Sequence, residues 1–454
     1  MRLLSLLALV SSFTLWDAQG EEKPNFVVIL TDDQSWVGTS LQLDPEDPSS
    51  KSDYYQTPNL ERLASMGVSF TDGYAPAPFC CPTRRSLLIG QTPARHLYQK
   101  NQKSWPAKYR KQLSIPRMLK AAEARYATAH FGKWDSRFDG VSPEEMGYEV
   151  SDGKTGNATG GGKGSGGPAI AEDPKLIAGI TSRAMAFMEK QVAAERPFYV
   201  QLSHYAVHLD IFYSKEAMAR AEARSPGKKH TMAAFAAMTD DVDSAVGVVL
   251  EKVTSLGIKD TTYIFFLSDN GGRKALPKAP EAALPLNHPL RDGKGSVYEG
   301  GIRVPFVVAG PGVKQGVVSR VPVTGLDILP TLADLAEYQK PLPDSLDGGS
   351  LKAVLRGGDT VIRTKPFLIF HQAVARKAQS AIREGDFKLV KNWDQKRVEL
   401  FDLSNDRSEA RDLSLTMPEI RKDLEGKLNE FLADVGAETR KTTSKDKQKI
   451  SVAP

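Results

Sequence analysis

The sequence predicts an α/β fold: a large, mainly parallel or mixed sheet sandwiched by helices, followed by a small C-terminal subdomain of antiparallel sheet plus helix. Two observations carry the first part. Short apolar runs alternate with amphipathic, helix-periodic segments from about residue 25 to residue 335, the rhythm of parallel strands joined by crossover helices. Several of those runs end in polar or acidic residues, at the edge where open α/β sheets carry their sites. The second part rests on a change beyond about Thr360, where short strands crowd together and one amphipathic helix follows. A chain of 454 residues buries such a core without disulfide staples.

Residues 1–20 begin with Arg2, run through the apolar stretch Leu3 to Val10 and reach Ala18-Gln19-Gly20, with small residues where a signal peptidase reads. They are read as a signal peptide, which implies export to the periplasm, the extracellular space or a lysosome. The run is too short to span a bilayer, and no later stretch approaches that length, so no integral membrane segment is expected. The main domain is expected over 21–358, the C-terminal subdomain over 359–438 and a basic, disordered tail over 439–454.

Asn25 to Thr31 reads as a buried parallel strand ending in Asp32-Asp33. A helix begins at Thr57-Pro58, shows Leu60, Leu63 and Met66 at helical spacing, and stops at Gly67; a strand over 68–71 follows. In Pro78-Phe-Cys-Cys-Pro-Thr-Arg-Arg-Ser-Leu-Leu-Ile-Gly90, Pro82 suits a first helical turn and Gly90 a stop. Cys80 is then expected just before a helix N-terminus, where free N–H groups and the dipole favour negative charge.

Next come a helix near 114–124 and a strand over 126–131 leading into Gly132-Lys133-Trp134-Asp135. Eight glycines within 152–168 mark a flexible loop. A helix over 173–194 precedes the strand 198–202, with His204 and His208 beyond it. A helix over 231–256 feeds the strand 263–267 and then Ser268-Asp269-Asn270-Gly271-Gly272. A proline-rich loop over 275–289 leads to Gly293-Lys294-Gly295, a strand over 304–309 and a helix over 326–335 with Pro330 as an internal irregularity. The C-terminal strands are expected at 366–370, 381–383, 387–391 and 398–403, and the last helix at 417–435.

The net charge of +5 suits an anionic substrate and equally a solvated surface; no nucleic-acid partner is expected. The only two cysteines are adjacent and provide no disulfide framework, so chemistry or chance must explain them. Asp32, Asp33, Asp269 and Asn270 close two expected strands. Such oxygen donors suit Ca²⁺, or Mg²⁺ in its place, and suit Zn²⁺ poorly. They are also good turn formers and strand caps.

Cys80-Cys81-Pro82-Thr83-Arg84 has the form C-x-P-x-R, and with Leu87-Leu88 and Gly90 it resembles the signature of the type I, formylglycine-dependent sulfatases of the alkaline-phosphatase-like superfamily. Only Cys80 fits the frame, because a start at Cys81 would place Thr83 where proline is required. Asp32-Asp33, Gly132-Lys133-Trp134, His208, Ser268-Asp269-Asn270-Gly271, Gly293-Lys294-Gly295 and Tyr298 to Arg303 follow in the family's order.

The resemblance implies that a separate maturation enzyme oxidises Cys80 to formylglycine, whose hydrate is the nucleophile. One hydroxyl of that hydrate attacks sulfur, and the other later collapses to the aldehyde and expels sulfate. It implies a divalent cation at Asp32, Asp33, Asp269, Asn270 and the group at position 80. Arg84 would steady the nucleophile's oxygens, Lys133 and Lys294 would hold sulfate oxygens, and His208 would protonate the leaving alkoxide, with His204 as the rival position. Asp135 stands where the family commonly has histidine. It is expected to take that residue's role as base for regenerating the aldehyde, with His130 or His371 as alternatives.

The function expected is exported hydrolysis of sulfate esters on a sulfated carbohydrate. His371 is expected as a substrate contact, and His288, Arg291 and Trp393 as further glycan contacts. Two alternatives remain: a phosphodiesterase or phosphonate monoester hydrolase of the same superfamily, and an impaired sulfatase-like protein that binds sulfated glycans.

Overall fold

The computed structural model describes residues 23–96, 105–134, 140–161, 168–277, 284–373 and 378–438. The expected signal peptide, the expected tail and Asp135 lie outside the described residues.

Eight strands form the main sheet: β1 (Asn25–Thr31), β2 (Gly67–Phe70), β3 (Ala127–Gly132), β4 (Val150–Ser151), β5 (Phe198–Ser203), β6 (Thr262–Ser268), β7 (Phe306–Ala309) and β8 (Val317–Ser319). Their spatial order is β8-β2-β7-β6-β1-β5-β3-β4. Every neighbouring pair is parallel except the two made by β7, which runs antiparallel to β6 and β2. The central strands are apolar over most of their length because both faces are covered. Val27 and Ile29 pack against Met185, Met188, Val246 and Val249 of the Ile177–Ala193 and Ala233–Ser255 helices. Phe26, Val28 and Leu30 face the other way, toward Leu87, Met118 and Ile328 of the Cys80–Ile89, Ile115–Ala122 and Ile328–Leu335 helices.

The expected helix over 173–194 begins later than its sequence suggests. Pro174–Leu176 forms a tight 3-10 turn, Lys175 and Leu176 have φ of 56° and 55°, and the α-helix starts only at Ile177. Pro330 is no irregularity. It lies in the first turn of the Ile328–Leu335 helix, where its missing N–H is not needed, and the change of helix type comes before it, at the 3-10 turn Gly325–Asp327.

The C-terminal sheet has antiparallel strands β9 (Leu368–Gln372), β10 (Gln379–Glu384), β11 (Phe387–Asn392) and β12 (Arg397–Asp402) in sequential order. One face, with Ile369, Ile382, Leu389 and Leu400, packs on Leu424, Leu428 and Phe431 of the Pro418–Asp434 helix. The other, with Leu368, Phe370, Ala381 and Phe401, packs on Tyr74, Val297, Tyr298 and Ile302 of the main domain. That docking brings the small sheet beside the Gly293–Ser296 loop, where Gln372 Nε2 donates to Gly295 O at 2.7 Å.

Candidate active site

Four adjacent strands, β6-β1-β5-β3, end at the same edge, and their register decides what meets there. Thr31 pairs with Ser268 and Leu30 with Ser203, while Gly132 also pairs with Ser203. Asp32-Asp33 therefore emerge beside Asp269-Asn270 on one side and the His204–His208 segment on the other, with Lys133 one strand further. The backbone ties these exits together through Asp269 N to Thr31 O at 3.0 Å, His204 N to Leu30 O at 2.9 Å and Lys133 N to Ser203 O at 2.7 Å. Gly132 is required here: its φ is 94°, and a Cβ would stand 2.1 Å from Ser203 O.

Cys80 enters from above the sheet edge. Phe79, extended at φ −142°, is the N-cap, and Cys80 is the first residue of the helix, one position later than the sequence places it. Gly90 closes that helix with φ 65°. Cys80 Sγ lies 3.6 Å from Asp32 Oδ1 and 3.2 Å from Lys294 Nζ. Burial and Asp32 push the thiol well above its ordinary range, so unmodified Cys80 holds its proton and is a poor nucleophile.

The cations of the site are each committed to a carboxylate. Arg84 donates from Nε and Nη2 to Asp269 Oδ2 at 2.9 and 2.7 Å and from Nη1 to Lys133 O at 2.7 Å. Lys133 Nζ meets Asp32 Oδ2 at 2.5 Å, and Lys294 Nζ pairs with Asp33 Oδ1. Burial alone would raise the Asp32 carboxyl, but Lys133, His208, Lys294 and Arg84 outweigh it and hold Asp32 far below the usual carboxylate range. Asp269 is pushed up to about 6, by burial and by Asp32. A third carboxylate crowded against two others is the electrostatic condition a cation relieves.

The donor set fits a hard divalent cation on direct observation. Among the described residues Asp33 Oδ2 and Asn270 Oδ1 are buried and accept no hydrogen bond, which leaves both oxygens open to a ligand, an ion or water. Ligand atoms of Asp32, Asp33, Cys80 and His208 lie within 4.8 Å of one another. Asp269 is not in that group; its Oδ1 accepts from Asp33 N at 3.2 Å and its Oδ2 from Arg84.

His208 Nδ1 shares a 2.5 Å hydrogen bond with Leu209 O, and Nε2 lies 3.8 Å from Asp33 Oδ2. Since a carbonyl only accepts, Nδ1 carries a proton and Nε2 is left for exchange with a ligand. His208 and Lys294 keep 18% and 13% side-chain exposure, while Lys133 is fully buried. His204 is also buried, and neither ring nitrogen has a hydrogen-bond partner among the described residues; burial and Arg84 lower its pKa to about 4.

His371 is not where the sequence reading placed it. It is 3% exposed on the helix-facing side of β9, with Nδ1 2.7 Å from Ser380 Oγ and Nε2 2.8 Å from Glu438 O, and burial lowers its pKa to about 4. The strand's two-residue alternation turns Gln372, not His371, toward the main domain. Trp393 likewise donates from Nε1 to Ser380 Oγ at 2.8 Å. Arg291 stacks 3.8 Å from the Tyr298 ring centroid and bonds Glu399 and Glu409 O, so it joins the two domains. His288 is exposed. His130, offered as a substitute base, is buried against Trp134 and Tyr148, with Nε2 3.1 Å from Ser203 Oγ and a pKa lowered to about 3.

Residues 24–338 match the family model described as Sulfatase, and residues 288–434 match that of the N-sulphoglucosamine sulphohydrolase C-terminal region. The chain belongs to the sulfatase family. This sulfatase is 29% identical over 496 residues to a protein named "Sulfatase" from Formosa agariphila, covering 90% of this chain and 87% of the relative. It is 27% identical over 391 residues to canine N-acetylgalactosamine-6-sulfatase, covering 79% and 71%. The solved structure of Ps i-CgsB shares its fold, with a TM-score of 0.75 at 24% identity over 95% of this chain and 98% of that one. The protein is a sulfuric ester hydrolase, and its family in general uses a metal ion and a formylglycine. Among the described residues no helix is long and apolar enough to cross a membrane.

Proposed function

We propose that this sulfatase is exported and hydrolyses a sulfate ester on a sulfated carbohydrate, with formylglycine made from Cys80 and Ca²⁺, or Mg²⁺ in its place, as its cofactors. The observation that carries the reading is a pair of buried oxygens, Asp33 Oδ2 and Asn270 Oδ1, that accept no hydrogen bond among the described residues, in the same cluster as Cys80 and three committed cations. The compartment and the relatives named for carbohydrate sulfates favour a sugar: an ulvan-active sulfatase is 28% identical over 491 residues, alongside the galactosamine-6-sulfatase.

Asp32, Asp33, Asp269, Asn270 and the group at position 80 would hold the cation, which when bound polarises the nucleophile and a sulfate oxygen. The formylglycine hydrate would supply the attacking oxygen and, through its second hydroxyl, the route for releasing sulfate. Arg84 locks Asp269 and the Lys133 carbonyl, so it fixes the geometry from both sides. Lys133 and Lys294 present preorganised positive charge to sulfate oxygens. His208, with Nδ1 fixed on Leu209 O, gives a proton from Nε2 to the leaving alkoxide and takes one back from water. Asp135 is proposed as the base in the return step.

The test is a desulfation screen of defined sulfated oligosaccharides, using protein produced with a formylglycine-generating enzyme, beside matched aryl sulfates and aryl phosphates. Sulfate release from a sugar is the expected result. Preferential release of phosphate would favour the phosphodiesterase alternative, and binding without turnover in fully converted protein would favour the glycan-binding one.

A further inference from the structure

Beyond the residues assigned above, one buried cation next to the site, Lys175, has no carboxylate partner among the described residues. Ala169 N donates to Ile211 O and Ala171 N to Tyr213 O, both at 3.1 Å, which lays this segment along the chain that follows His208. Asp173 then accepts from Ala178 N and Gly179 N at 2.8 and 2.9 Å, while Lys175 and Leu176 take left-handed φ. Lys175 is left only 3% exposed. Its ammonium lies 5.4 Å from the centroid of the Phe212 ring and makes no hydrogen bond or ion pair among the described residues.

Among the charged groups that act most on Lys175 are Asp32, Asp210, Lys133 and Asp33, three of which belong to the active site. Burial pushes its pKa down to about 8, with Asp32 and Asp210 opposing the fall. Arg84, Lys133 and Lys294 each neutralise a site carboxylate, whereas Lys175 pairs with no carboxylate among the described residues. Holding a lysine so enclosed without an anion costs stability, and the cation–π contact with Phe212 recovers only part of it.

We propose that Lys175, resting on Phe212, forms a subsite for a second anionic substituent of the substrate, a carboxylate or a further sulfate on the sugar that carries the scissile ester or on its neighbour. The scissile sulfate is already served by Lys133 and Lys294 beside Cys80. Phe212 belongs to the chain that follows His208, the residue proposed at the leaving oxygen, and Lys175 packs against that chain. The assignment rests on the sulfatase reading above and names its substrate class: sugars carrying more than one negative charge.

The experiment compares the matured full chain with Lys175→Met and Lys175→Arg on three disaccharides sharing one scissile sulfate. One carries a neutral neighbour, one a uronate and one a second sulfate. Lys175→Met should lower selectivity for the doubly charged sugars over the singly charged one by about tenfold, or about 1.4 kcal/mol; Lys175→Arg should preserve most of it. The two charged arms show whether carboxylate or sulfate is the ligand. An unmoved selectivity ratio in folded Lys175→Met, whether every substrate suffers equally or none does, would overturn the subsite. The same ratio is read from equilibrium binding to unmatured protein, which keeps Cys80. If wild-type protein cleaves no sulfate ester, the sulfatase reading fails, while the binding ratio still decides Lys175 for or against.

Discussion

Two buried clusters of acids and bases lie in this protein, and they differ in what they leave unsatisfied. Where the C-terminal sheet docks, Glu299 accepts from Arg303 Nε at 2.6 Å, Lys388 Nζ at 2.6 Å and Tyr74 OH at 2.8 Å. Lys388 also meets Glu409 at 2.8 Å, and Asp72 pairs with Arg303 at 2.8 Å and Arg383 at 2.7 Å. These contacts join the Phe387–Asn392 and Gln379–Glu384 strands to the main domain. At the strand ends the same residue types meet, yet among the described residues Asp33 Oδ2 and Asn270 Oδ1 accept no hydrogen bond and Lys175 pairs with no carboxylate, whereas Glu409 Oε1, which also accepts no hydrogen bond, still has Lys388 Nζ at 2.8 Å. A cluster that closes on itself holds domains together, and one with valence left over is arranged for something that arrives.

Replacing the nucleophile should separate the clusters most sharply. Cys80→Ala should lower turnover of matured protein by more than about 10⁴-fold, the scale seen when a catalytic nucleophile is removed, with little change in the unfolding midpoint. A large fall in that midpoint would mean Cys80 belongs to the structural class. His208→Gln should slow alkyl sulfates by about 10²–10⁴-fold and aryl sulfates much less, because a good leaving group needs no proton. Equal losses on both would remove His208 from the proton transfer.

In the docking cluster, Glu299→Gln should cost about 3–5 kcal/mol of stability, since it strips charge from a site where Arg303 and Lys388 are fully buried. Denaturant midpoints measure it. At the site, the sign reverses on adding a ligand: Ca²⁺ at about a hundred times its Kd should raise wild-type stability by about 2.7 kcal/mol. Asp33→Asn should abolish most of that gain, and a chelator should reverse it.

The smallest effect is on acid stability. Burial would raise Glu299, but Lys388, Arg303 and Arg383 overcome it and lower its pKa from 4.5 to about 2. A depressed carboxylate contributes stability that is complete above the unfolded value and lost as pH falls through the folded one. The Glu299 share should therefore disappear between about pH 4.5 and pH 2, and Glu299→Gln should flatten the stability profile there.

The sheet and its acids were legible because buried parallel strands are continuous apolar runs, and Asp32-Asp33 and Asp269-Asn270 close two of them in register. Helix type and side-chain direction were less so. His371 faces the helix and Gln372 the main domain, because strand alternation says which residues share a face and only the docking of the small sheet says which face is inward. Lys175 carried no signal at all. Its inward course is set by the φ of 56° at the head of the Ile177–Ala193 helix, and a Pro-Lys pair opening a helix ordinarily reads as solvated charge.

The most direct measurement is sulfate release from a sulfated disaccharide by protein produced with and without the maturation enzyme, set against the mass-spectrometric fraction of Cys80 converted to aldehyde. Release in proportion to conversion, vanishing at zero conversion, is the result predicted. Equal release from converted and unconverted protein would contradict the assignment of Cys80 as the origin of the nucleophile.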